Sequence, residues 1–160
     1  MSSTIKITPG RGLTIRYSGV FDFDKLYKEM HDWFIKNAYD FEEKQHEDKS
    51  KDTGREIEIT WNGERKIDEF AKFLITVRFL IEEFNKVEKL DSGKMVIEIS
   101  ASAVLDYNDR WKRKPFSNFL FNVYTKYIIK EKINTYYLGK LYNETVNLQD
   151  LGKSVLELYS

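Results

Sequence analysis

The chain has 160 residues, 41% of them hydrophobic and 32% charged, with 26 basic against 26 acidic side chains and no cysteine. One self-sufficient domain fits that length, because roughly 70% of the unfolded surface can be buried, and the balance of apolar and charged residues excludes a disordered chain. Zero net charge argues against a protein that coats nucleic acid along its whole surface, and the missing cysteines exclude disulfides, thiolate catalysis and cysteine-bound zinc.

Taken in chain order, Ile5 and Ile7 and then Leu13, Ile15 and Tyr17 alternate with polar residues around Pro9-Gly10-Arg11-Gly12. This predicts an N-terminal hairpin with a Pro/Gly turn. A helix follows over Asp22 to Asn37, where Phe23, Leu26, Tyr27, Met30 and Phe34 recur at helical spacing behind a capping aspartate. His31 lies off that stripe and is expected to face solvent. From Tyr39 to Tyr107 the period becomes two: Tyr39, Phe41, Glu43 and Gln45; Ile57, Ile59 and Trp61; Phe73 to Ile81; and Met95 to Ala103 after a turn at Leu90-Asp91-Ser92-Gly93. Consecutive strands with short connections predict an antiparallel meander. Asn62-Gly63 reads either as a tight hairpin turn or as a bulge in a longer strand that turns near Asp68-Glu69, and alternation through Arg65 and Ile67 tips the reading to the longer strand.

Beyond Tyr107 the helical period returns. Phe116, Leu120, Val123 and Tyr127, then Ile133, Tyr137 and Leu141, then Leu148, Leu151, Val155 and Leu158 form successive stripes, with breaks expected at Gly139 and Asn147. The expected fold is therefore α+β: an antiparallel β-meander, one helix after an N-terminal hairpin, and a long C-terminal helical region packed on the sheet. It forms a single domain over 1–160, with the hairpin, helix and meander in 1–107 and the helical region in 108–160.

Three constellations could carry chemistry. Asp40, Glu42, Glu43, His46, Glu47 and Asp48 offer carboxylates and an imidazole, but strand alternation sends Glu42 and His46 to one side and Glu43 and Glu47 to the other. A charged edge strand running into a loop over 47–53 is the plainer reading, and no metal is assigned. Arg110, Trp111, Lys112, Arg113 and Lys114 place four cations around an aromatic ring, the pattern of a polyanion-binding site or of a solvated helix start. Finally, Tyr136, Tyr137, Leu141, Tyr142, Leu148, Leu151, Val155 and Leu158 belong to a tail richer in aromatics than one sheet face readily absorbs, which marks them as interface candidates. There is no phosphate loop, dinucleotide turn, HExxH or GxSxG. No nucleophile, acid, base or cofactor site is assigned, so the chain reads as non-enzymatic.

The order strand, helix, meander, long helix resembles the helix-grip group of lipid and small-molecule binders, in which a curved antiparallel sheet wraps a C-terminal helix. That resemblance implies a pocket between sheet and helix, with Ala101, Ser102 and Ala103 leaving room. The leading expectation is a structural or protein-interaction domain that self-assembles or docks a protein partner through its C-terminal helices. A helix-grip-like ligand binder is the alternative, and a nucleic-acid or polyanion binder the second. No segment is long and apolar enough to span a bilayer. Met1–Thr4 carries no charged region leading into an apolar one, which makes a cytoplasmic homo-oligomer or partnered protein the expectation.

Overall fold

A computed structural model describes residues 3–105 and 133–157. Within them lie β1 (Ser3–Lys6), β2 (Leu13–Phe21), α1 (Phe23–Lys36), β3 (Asp40–Lys51), β4 (Gly54–Lys66), β5 (Ala71–Val87), β6 (Leu90–Leu105), a π-helical turn (Ile133–Leu138) and α2 (Gly139–Glu157). The chain is α+β. Among the described residues the six strands make one antiparallel sheet in the order β1-β6-β5-β4-β3, with β2 also on β6.

The N-terminal strands differ from the expected hairpin in one respect. Two strands flank the Pro9–Gly12 turn, where Gly12 N–H donates to the Pro9 carbonyl at 2.8 Å. They lie end to end, however, both antiparallel to β6: Ile5 faces Ala103 and Leu13 faces Ile99. Alternation with a turn between two runs is common to a hairpin and to one edge strand interrupted by an extruded loop, so the pattern alone does not separate them. Ile7 N–H still reaches the Ala101 carbonyl at 3.0 Å, and the Thr8 hydroxyl accepts from Ala101 N–H at 3.2 Å, which holds the loop to the edge.

Helix α1 forms as its periodicity predicts. Asp22 caps it by accepting from Lys25 N–H at 3.1 Å, and Leu26, Met30 and Phe34 are fully buried, each contributing about 1.5–3 kcal/mol by leaving water. A second carboxylate fixes the helix to the sheet: Asp91 accepts from Phe23 N–H at 3.0 Å while Lys86 Nζ lies 2.6 Å from its other oxygen. His31 lies off the buried stripe, as expected, with its side chain 35% exposed, and its ring is edge-on to Phe41 at 4.6 Å.

Strand β4 runs straight through Asn62 and Gly63, which pair in register with Thr76 and Ile75. The turn comes at 67–70, where Asp68 accepts from Phe70 N–H and Ala71 N–H, both at 2.8 Å. Neither the hairpin nor a bulge at Gly63 is present. Glycine is there because the Phe34 ring lies where a side chain would be: an added Cβ would sit 2.5 Å from Phe34 Cε1. The expected turn at Leu90–Gly93 is displaced as well. Val87 faces Leu90, so the tight turn is Glu88-Lys89, with Glu88 at φ +58. Asp91 and Gly93 belong to β6, the first as the tether of α1 and the second opposite a bulge at Glu83 and Phe84.

The core lies on one face of the sheet. Trp61, Phe73, Ile75, Val77, Phe79, Ile81, Ile97 and Ile99 are fully buried there, as are Leu141 and Leu148 of α2. Helix α2 is continuous from Gly139 to Glu157: Gly139 marks the passage from π to α geometry, while Asn147 does not break the helix. Gly152 lets α2 sit close, since a Cβ there would meet Ile15 Cδ1 at 2.9 Å. A long C-terminal helix on an antiparallel sheet is the arrangement the helix-grip resemblance implies. Ala101 and Ala103 are both buried.

Candidate functional site

The helical interface candidates are placed as follows. Tyr137, Leu141, Leu148 and Val155 are buried in the chain's own core, and Leu151 packs against its margin. Tyr136 and Tyr142 are about half exposed, at 48% and 47%. Leu158 lies outside the described residues, as do Arg110, Trp111, Lys112, Arg113 and Lys114. Tyr137 is further anchored by its hydroxyl, which donates to Asp68 at 2.6 Å. The stripe that read as surplus for one sheet face is largely core, because α1 covers only part of a face whose two longest strands have 17 and 16 residues.

Helix α2 is also locked electrostatically. Arg65 on β4 forms a two-pronged pair with Glu144, with contacts of 2.8 Å, and donates to the Asn37 carbonyl at 2.8 Å. The guanidinium lies over Tyr39, 4.7 Å from its centroid, and the Tyr39 hydroxyl donates to Glu144 at 3.3 Å. Burial first, then the charge of Glu144, pushes the Tyr39 hydroxyl well above its ordinary pKa. This network joins α2, β4 and the α1–β3 connection.

The acidic stretch of β3 is an edge strand, and it remains a strand through Lys51 where a loop was expected. A register shift between Glu43 and Gln45 extrudes Lys44 and changes the side assignment: Glu43 faces Trp61 and His46 faces Ile59, both on the core side. Glu43 accepts from the Tyr27 hydroxyl at 2.9 Å and from Trp61 Nε1 at 3.2 Å, with His46 Nδ1 at 3.9 Å. Desolvation, and then Glu43, raises the Tyr27 pKa. The bulge that made this grouping carries no sequence signal beyond a broken alternation. It pins α1 to the edge through two hydrogen bonds to one Glu43 oxygen. Among the described residues no group of three or more ligating side chains could hold a metal ion.

The two edges of the sheet are unlike. In β3, Asp40, Glu42, Glu43, Lys44, His46, Glu47, Asp48, Lys49 and Lys51 are charged or titratable and the strand is bulged, both protections against added strands. In β2, Leu13–Phe21, Arg16 is the sole charged residue. Its exposed margin is closed at two points. Gln149 Nε2 donates to the Thr14 carbonyl at 3.3 Å, and the Tyr17 hydroxyl donates to the Val20 carbonyl at 2.6 Å. Antiparallel pairing turns the backbone groups of alternate residues outward, so Arg16 and Ser18 share the outward setting of Thr14 and Val20. Among the described residues nothing caps them. Beside this window, on the sheet face opposite the core, a groove of about 570 Å³ is lined by Arg16, Tyr17, Ser18, Leu80, Lys94 and Val96, with Glu82 and Met95 completing it. Val96 faces both Arg16 and Leu80 across the ladder. Alternation within β2 marked a strand, but its place at the edge and the two uncapped residues emerge only from the sheet order and the side-chain caps.

Compared with protein-family models and with curated proteins, the chain matches none. Among the described residues no helix is long and apolar enough to cross a membrane.

Proposed function

We propose that this chain is a non-enzymatic protein-interaction domain that docks a partner protein along the open β2 edge of its sheet, rather than mainly through its C-terminal helix. The observation that supports the reading is the contrast between the edges. One is charged and bulged in the manner that blocks strand addition, while the other is short of charge and capped on either side of a gap. The test is light scattering with size exclusion on the full chain purified from its own cells, with and without amine cross-linking. The expected result is a species heavier than the 19.1 kDa monomer that contains a second protein. A 19.1 kDa monomer under both conditions would refute the reading.

A second reading, a small-molecule binder as the helix-grip resemblance implies, is favoured by the groove at Arg16, Leu80, Lys94 and Val96, whose volume of about 570 Å³ is that of ordinary ligand sites. It places the ligand outside the helix–sheet interface. Polyanion binding through Arg110–Lys114 rests on the sequence pattern alone.

A further inference from the structure

We infer that the β2 window accepts an extended segment of a partner protein as an added strand, and that this segment alternates acidic with apolar side chains; the inference rests on the interaction reading and names its occupant.

The backbone supplies the affinity. Arg16 and Ser18 present N–H and C=O groups between two carbonyls already taken by Gln149 and Tyr17, so an incoming strand finds both donors and acceptors uncapped over this window among the described residues. Added strands draw their affinity from such main-chain bonds and their specificity from alternate side chains. The chemistry of the two faces sets the alternation. On the groove side the incoming residues meet Arg16 and Lys94 over Leu80 and Val96, with Glu82 at the far wall. No ion pair engages Arg16 among the described residues, and Lys94 reaches Glu83 only at 3.6 Å while remaining 62% exposed. Carboxylates opposite Arg16 complement this side. On the other side the neighbours are Ile15, buried, and Tyr17, partly buried and edge-on to Phe21, which calls for apolar residues. The caps also fix the length, since a strand much longer than the window must displace Gln149 or Tyr17.

The probe is a blocked pentapeptide of alternating valine and glutamate, matched to the five positions between the caps and titrated to about 1 mM into the full-length, nitrogen-15-labelled chain. Amide shifts concentrated at Arg16, Ser18 and their neighbours are expected, with affinity falling at least tenfold when lysine replaces glutamate in the probe. Ser18→Pro removes an outward N–H, a change that edge strands tolerate, and should abolish binding. Arg16→Glu should weaken it at least tenfold. The same peptide N-methylated on alternate amides should not bind, and this comparison stands by itself should Ser18→Pro fail to fold. Strand addition is overturned by an absence of shifts at β2, by equal binding of the N-methylated or lysine peptides, or by self-association of the chain that Ser18→Pro removes, which would make a second copy the occupant. A natural partner that survives Ser18→Pro would sink the added strand but leave the interaction reading intact, whereas finding no partner at all would sink both.

Discussion

Replacing Gly63 by alanine adds one methyl group where the Phe34 ring stands. The new Cβ would lie 2.5 Å from Cε1 and 2.6 Å from Cδ1, about 1 Å inside the separation at which carbon atoms attract. Phe34 has little freedom to yield, because it is fully buried and packs on Tyr39, Phe41 and Trp61 with centroids 5.6–6.2 Å away. Forcing an extra methylene into a packed core costs typically 1–3 kcal/mol. Against this, alanine restricts the unfolded chain and returns roughly 0.4–1 kcal/mol where the backbone permits it. The net expectation is a loss of about 1–2 kcal/mol, a fall in Tm of roughly 2–8 °C for a chain of this size. Urea denaturation should show a lower midpoint with the m-value unchanged. The clash also predicts a coupling. With Phe34→Ala, which lacks both Cδ1 and Cε1, the methyl should cost at least 1 kcal/mol less than it does in the wild type. A neutral or stabilising Gly63→Ala, or strictly additive effects, would refute the assignment of Gly63 to close packing.

The remaining predictions concern the links between helices and sheet. Glu144→Ala leaves the Arg65 guanidinium mostly buried without its carboxylate, since the two side chains are 16% and 14% exposed; it should cost about 3 kcal/mol, and a loss below 1 kcal/mol in urea would count against the latch. Tyr39 has a raised folded-state pKa, so its contribution is fully present below the unfolded value of about 10 and is lost as pH rises from there through the folded value. Stability measured between pH 9 and 11.5 should therefore fall less steeply for Tyr39→Phe than for the wild type, and parallel curves would contradict this. Asp68→Ala removes the acceptor of Phe70 N–H, Ala71 N–H and the Tyr137 hydroxyl; it should cost about 2 kcal/mol, with Asp68→Asn recovering part of that, and an unchanged denaturation midpoint would show that the turn does not depend on this side chain.

Much of the fold was legible because single residues each had one use. The Phe23–Phe34 stripe behind Asp22 can only be an amphipathic helix, and Phe73–Ile81 alternates too cleanly for anything but a half-buried strand. The errors fall where one residue serves two elements. Asp91 and Gly93 look like a turn because their types favour turns, yet Asp91 is needed to hold Phe23 N–H and Gly93 to face a bulge. Gly63 looks like a hairpin residue because nothing local announces the approach of Phe34 from a helix 29 positions earlier. Side assignments along β3 fail after Lys44 because one extruded residue inverts every later position. As for the candidate site, the sequence pointed to the aromatic tail, of which Tyr137, Leu141, Leu148 and Val155 turn out to be core. The β2 window depends on Gln149, 135 positions from the carbonyl it caps, a contact no local pattern encodes.

The central claim is that β2 is open between Thr14 and Val20, and residue-resolved amide hydrogen exchange on the free full-length chain tests it most directly. The account predicts that the amides of Arg16 and Ser18 exchange as fast as those of exposed loops, while Ile15 and Tyr17, turned toward β6, are strongly protected. Equal protection of all four amides would mean that the edge is already covered, and would contradict the account.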